Sequence, residues 1–132
     1  MEFIKASEFL KQPEEVQEVL TTWFVENISD FDLVQVGEGA MLYGELVKRE
    51  WYLGNSFYPL FTEGQLRKFI EDKTNHIMFL DFEIIDGKLD YDIYLFNEKD
   101  IYVKYEHLGE NLLQAYWKAA CEIAEESVEN EI

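Results

Sequence analysis

Four carboxylates stand at two-residue spacing in the stretch Phe79 to Phe96, "FLDFEIIDGKLDYDIYLF": Asp81 and Glu83 before an Asp-Gly pair, Asp90 and Asp92 after it. Carboxylates so placed can do three kinds of chemistry. Two of them in unlike surroundings can share general acid and general base work. Several that converge can ligate a hard cation such as calcium. A regular row can receive the ammonium and guanidinium groups of a basic protein. Catalysis needs a concave pocket that perturbs one carboxylate, whereas these residues belong to an open strand pair. A calcium loop of the EF-hand kind needs oxygen ligands where this stretch has Phe82 and Ile84. Recognition of Lys or Arg fits better, because neighbours in the row lie about 7 Å apart along a strand and about 5 Å apart across it. That spacing is of the order of phosphate spacing along nucleic acid, so a phosphate-binding groove could accept the row as a decoy. Phe79 and Tyr94 extend the two rows with the aromatic surface that Arg favours. The plain alternative is a solvated face whose acids are screened by water and salt.

Other chemistry has less to work with. Cys121 falls on the inner side of the last helical segment among small and apolar residues, where a thiol behaves as an inert hydrophobe. His76 and His107 are separated from it and from each other, and one cysteine with two scattered histidines makes neither a nucleophile pair nor a zinc pattern. "GEGAMLYG" has Leu42 where a dinucleotide fingerprint needs its third glycine, so its glycines read as turn residues. The expectation is no catalytic residue, no metal ligand and no cofactor.

Alternation defines the elements that position the acidic rows. Asp86-Gly87 supplies the positive φ angles of a two-residue type I′ turn. Ile85 then faces Lys88, and Ile84/Leu89, Phe82/Tyr91, Leu80/Ile93 and Met78/Leu95 share an apolar face directed at the core. Glu83/Asp90, Asp81/Asp92 and Phe79/Tyr94 share the opposite, outward face. Opposed like charges destabilise a sheet, so neutralising all four acids is expected to add about 0.5 to 2 kcal/mol of stability. On the same reading, Phe82→Lys buries a charge and costs several kcal/mol.

Around this hairpin, 77–96, the sequence predicts a third strand over 101–105 after a turn at "NEKD", with Ile101, Val103 and Tyr105 on one face. Two further strands are read within 33–52, at Leu33 to Val36 and Met41 to Tyr52. A short turn of helix runs from Ser7 to Lys11. Pro13 opens a helix near 13–26, with Val16, Val19, Leu20, Trp23 and Phe24 on its buried face. Thr62 and Gln65 have capping-box spacing ahead of a helix over 63–74 with the stripe Leu66, Phe69, Ile70. The last helix, 110–126, buries Leu112, Leu113, Tyr116, Trp117, Ala120, Ile123 and Ala124. Helices before, between and after an antiparallel meander give an α+β class, expected as one domain over 1–132 with a frayed end.

The chain has 132 residues, 48% of them hydrophobic, enough to bury a core without staples, and a formal charge of -17 that repels nucleic acid and anionic membrane. A basic protein is the partner such a field favours. "MEFIKASEF" lacks a basic segment followed by an apolar core, and no apolar run has the length of a membrane span, so an intracellular, cytoplasmic protein is expected. Ten Phe, eight Tyr and three Trp exceed what so small a core hides, so some reach the surface.

Through "FLKQPEEVQEVL", "PLFTEGQLRKFIEDKT" and "LLQAYWKAACEIAEE" the chain resembles small acidic proteins encoded in phages and prophages of Gram-positive bacteria. The likeness covers the helical segments and carries no catalytic residue. It implies an accessory protein that binds and modulates a host protein, here a basic one such as a nucleic-acid-binding or defence factor. A structural or assembly component acting by self-association is the second expectation, and a small metal-dependent enzyme the third.

Overall fold

The structure, a computed structural model, describes residues 2–48, 57–97 and 102–129. In chain order they form α1 (Ala6–Phe9), α2 (Glu14–Glu26), β1 (Leu33–Val36), β2 (Gly39–Leu42), α3 (Tyr43–Val47), β3 (Tyr58–Pro59), α4 (Glu63–Thr74), β4 (Ile77–Ile85), β5 (Lys88–Phe96), β6 (Tyr102–Tyr105) and α5 (Leu112–Glu129). The strands make two antiparallel sheets, ordered β2-β1-β3 and β4-β5-β6. This is the α+β class expected from the sequence. The fold divides into two compact units, Phe3–Phe61 and another built around Thr62–Ile132.

In the first unit Pro13 occupies the N-cap of α2, and Glu14 and Glu15 follow in the first turn, where the helix dipole favours acid. The buried face of α2 is Val16, Leu20, Trp23 and Phe24. Phe61 packs on this face, stacked at 6.4 Å from Trp23 and edge-on at 5.2 Å from Phe24. Gly37, at φ 61, opens the two-residue turn between β1 and β2. The strand expected from Met41 to Tyr52 ends at Leu42, where the chain enters α3. The amides of Tyr43 and Gly44 donate to the carbonyls of Asp32 and Asp30 at 2.8 and 3.0 Å, which turns the backbone out of the sheet. Residues 49–52, the end of that expected strand, lie outside the described residues.

In the second unit the capping box forms as its spacing predicts: the Thr62 amide donates to Gln65 Oε1 at 2.8 Å, and the Gln65 amide to Thr62 Oγ1 at 3.5 Å. Leu66, Phe69 and Ile70 are buried, and Asn75 closes α4 in the left-handed region at φ 54. The α4 stripe meets α5, whose inner face carries Leu113, Ala115, Tyr116, Trp117, Ala119, Ala120, Ile123 and Ala124. Helix α5 starts later than the sequence indicates because Asn111 caps it, accepting the Gln114 amide at 2.9 Å.

The hairpin has the expected register at every pair from Ile77↔Phe96 to Ile85↔Lys88, with Asp86 at φ 53 and Gly87 at φ 77 in the turn. Its apolar face, however, is covered only at the base. Met78, Ile93 and Leu95 are buried, whereas Phe82 is 56% exposed and Ile84 69% exposed. The inward placement expected for Phe82/Tyr91 and Ile84/Leu89 is therefore corrected: the pairs share a face, but no described element covers it at Phe82 or Ile84. In β6, Tyr105 is buried and Val103 exposed. Residues 98–101, with Ile101 and most of the expected turn, lie outside the described residues.

Candidate functional site

The four carboxylates do not form one outward surface. Asp92 is buried, at 3% exposure, and its Oδ1 accepts the His107 amide at 2.9 Å. Asp90 Oδ1 accepts the Gly109 amide at 2.9 Å, while its Oδ2 lies 2.7 Å from His107 Nδ1. Between them Tyr91 exchanges backbone hydrogen bonds with the same segment, donating to the Gly109 carbonyl and accepting the Leu108 amide, both at 2.9 Å. The segment after β6 is thus laced to the outer edge of β5. His107 and Gly109 take φ values of 58 and 92, so their amides turn toward the two carboxylates. Opposed acids are tolerated here because half of them are acceptors for a backbone that would otherwise lack partners. The expectation that Asp90 and Asp92 point into solvent is corrected accordingly.

The electrostatics follow this geometry. The His107 hydrogen bond and the Gly109 amide hold the Asp90 carboxyl below its ordinary range, and Asp90 in turn raises His107. Tyr94 and Glu106 hold the Lys104 ammonium well above its usual range. That ammonium lies 5.0 Å from the centre of the Tyr94 ring and 3.0 Å from Glu106, so the chain's own cation occupies Tyr94. Of the expected site, Asp81, Glu83 and Phe79 remain exposed on β4.

Among the described residues these three lie on a strand with one hydrogen-bonded neighbour, β5. Because the Tyr91 backbone points to Gly109, its partner Phe82 is a non-hydrogen-bonded pair member whose own amide and carbonyl point away from β5. The same parity turns the backbone of Leu80 and Ile84 outward. At Phe82 the outward amide donates to the neighbouring Asp81 Oδ1 at 2.8 Å. The distal hairpin therefore combines an open strand edge with exposed Phe79, Phe82, Ile84 and Ile85 and with exposed Asp81, Glu83 and Asp86. Sequence reasoning took Phe82 and Ile84 as core because alternation gives the face and not how far a helix layer reaches across it.

An open cleft of about 420 Å³ lies elsewhere in this unit, lined among others by Lys73, His76, Tyr105 and Glu126. Tyr105 donates to Glu126 Oε2 at 3.3 Å, and burial followed by Glu126 keeps its phenol protonated far above the usual range. His76 has Nδ1 against the Thr74 carbonyl and Nε2 3.4 Å from the Asn97 amide, so both ring nitrogens are engaged. Cys121 is half-buried. Among the described residues no group of three or more His, Cys, Asp or Glu is arranged to hold a metal ion, and no helix is long and apolar enough to cross a membrane.

Fold and site together define an α+β protein with an exposed acidic and apolar hairpin end. Comparison with protein-family models, curated proteins and solved structures finds no match.

Proposed function

We propose that this chain is a non-enzymatic accessory protein of phage or prophage origin that acts in the host cytoplasm by binding a basic protein through the β4–β5 hairpin. One observation carries the reading: the distal hairpin leaves Phe82 and Ile84 exposed next to exposed Asp81, Glu83 and Asp86. Large apolar side chains on a solvated strand are costly to leave bare, and acids around them select a cationic partner by attraction and on-rate. The net charge of -17 adds a long-range field that draws such a partner and repels nucleic acid itself. The binding surface so defined contains Asp81, Glu83 and Phe79. Asp90 and Asp92 support it through the His107–Gly109 segment, and Tyr94 lies under Lys104.

The test is retention of host proteins at low salt on immobilised parent protein and on the Asp81→Asn/Glu83→Gln variant. A basic protein held by the parent, released by salt and not held by the variant supports the reading. Equal retention by both, insensitive to salt, overturns it. Self-association is a second reading, favoured by the same exposed Phe82 and Ile84, and sedimentation at increasing protein concentration distinguishes it.

A further inference from the structure

The open edge of β4 points to a specific mode of recognition, and we propose that it takes up an extended segment of a basic protein as an added antiparallel strand, with Lys or Arg alternating with apolar residues. This rests on the basic-partner reading and goes beyond it by fixing backbone, register pattern and side-chain order. Among the described residues strand β4 lies at the end of its sheet, with β5 as its one hydrogen-bonded neighbour. The backbone groups of Leu80, Phe82 and Ile84 point outward by the parity that sends Tyr91 to Gly109. A strand laid along them places one alternate set of its side chains beside exposed Phe82 and Ile84 and the other beside exposed Asp81 and Glu83.

Charge selects the occupant. A second copy pairing β4 with β4 about Phe82 would set Asp81 opposite Glu83, acid against acid in the middle of the new pair. A strand with cations at those positions meets no such penalty. The hydrogen bond from the Phe82 amide to Asp81 Oδ1 is the resting arrangement of this edge. On docking, a carbonyl of the incoming strand takes the Phe82 amide, and the released Asp81 carboxylate turns to the incoming ammonium or guanidinium. Asp81 thus shields an otherwise bare donor when the edge is empty and reads charge when it is filled.

The test uses a capped synthetic peptide as long as β4, nine residues, alternating Val and Lys, with an isomer in which the lysines form a block. Fluorescence anisotropy at low salt should show the alternating peptide binding roughly tenfold or more tightly than the block isomer. In antiparallel addition the residues opposite Phe82 and Ile84 exchange backbone hydrogen bonds with them, so N-methylation of the valines should abolish binding while N-methylation of the lysines leaves it. Ile84→Pro, which removes an outward amide, should weaken binding with the melt unchanged, and the N-methyl peptides decide the matter should that variant unfold. Alternating and block peptides binding alike, untouched by N-methylation, overturn strand addition and leave the basic-partner reading standing. No binding by any of the peptides overturns both. Protection of Phe82 that depends on protein concentration alone assigns the edge to a second copy and overturns the proposal.

Discussion

His107 Nδ1 sits 2.7 Å from Asp90 Oδ2, and the pair fastens the segment after β6 to the edge of β5. Each partner shifts the other, and the two shifts bound a pH window. His107 is raised, chiefly by Asp90 and further by Glu106 and Asp92, so its contribution is complete below its unfolded value of about 6.5 and is lost as pH rises through the higher folded value. Asp90 is lowered from 3.8, with Lys118 adding to His107 and Gly109, so its contribution is present above that value and is lost as pH falls through the folded one. Denaturant midpoints of the parent and His107→Gln should therefore differ most between about pH 4 and about pH 6.5. A difference that stays constant from acid to alkaline pH would contradict the pair.

Asp92 has a structural task that its outward neighbours lack. Asp92→Ala leaves the part-buried His107 amide without its acceptor and should cost about 1 kcal/mol or more, while Asp92→Asn keeps an acceptor and should cost less. Asp81→Asn with Glu83→Gln should be neutral or slightly stabilising, since both acids are exposed. Neutralising all four at once is thus expected to destabilise, opposite to the sign that strand alternation alone gives. Equilibrium unfolding of the four variants checks the order.

Phe82→Lys should melt within about 0.5 kcal/mol of the parent, because the side chain is already solvated. Ile93→Ala, four positions beyond the Leu89 that pairs with Ile84, should cost about 2 to 5 kcal/mol because Ile93 is fully buried. A large loss at Phe82 would mean that a layer covers the distal hairpin in solution.

Thr62→Ala removes the acceptor of the Gln65 amide and should cost about 1 kcal/mol, with Thr62→Ser recovering most of it. Circular dichroism during thermal unfolding reads both. No loss on Thr62→Ala would show that α4 is held by its buried stripe alone.

Local rules made much of this legible. Asp86-Gly87 fixed the turn, the turn fixed the register of nine pairs, and Thr62 with Gln65 marked the start of α4. What escaped depended on contacts distant in sequence. A nine-residue strand reaches about 30 Å and the twelve-residue α4 only about 18 Å, so the cover over β4 could not follow from alternation. The roles of Asp90 and Asp92 depended on His107 and Gly109, 17 and 19 residues after Asp90, adopting positive φ. "EHLGEN" gives one local signal of this, a glycine two residues after a histidine and just ahead of the Asn111 cap. Tyr43 entering α3 was hidden in the same way, since the carbonyls that turn it belong to Asp30 and Asp32.

The bare edge of β4 also has a colloidal consequence. An open strand edge carrying Phe79, Phe82, Ile84 and Ile85 is the kind of template on which chains stack into fibrils, and at neutral pH the mutual repulsion of highly charged molecules holds such edges apart. Near the isoelectric point of about 4.3 the net negative charge is gone and that repulsion collapses. Acidification should then drive the folded protein into β-rich precipitate before it unfolds, with turbidity rising earlier for the parent than for Ile84→Lys. Acidity that leaves most proteins merely less stable would turn this hairpin from a recognition surface into a nucleus.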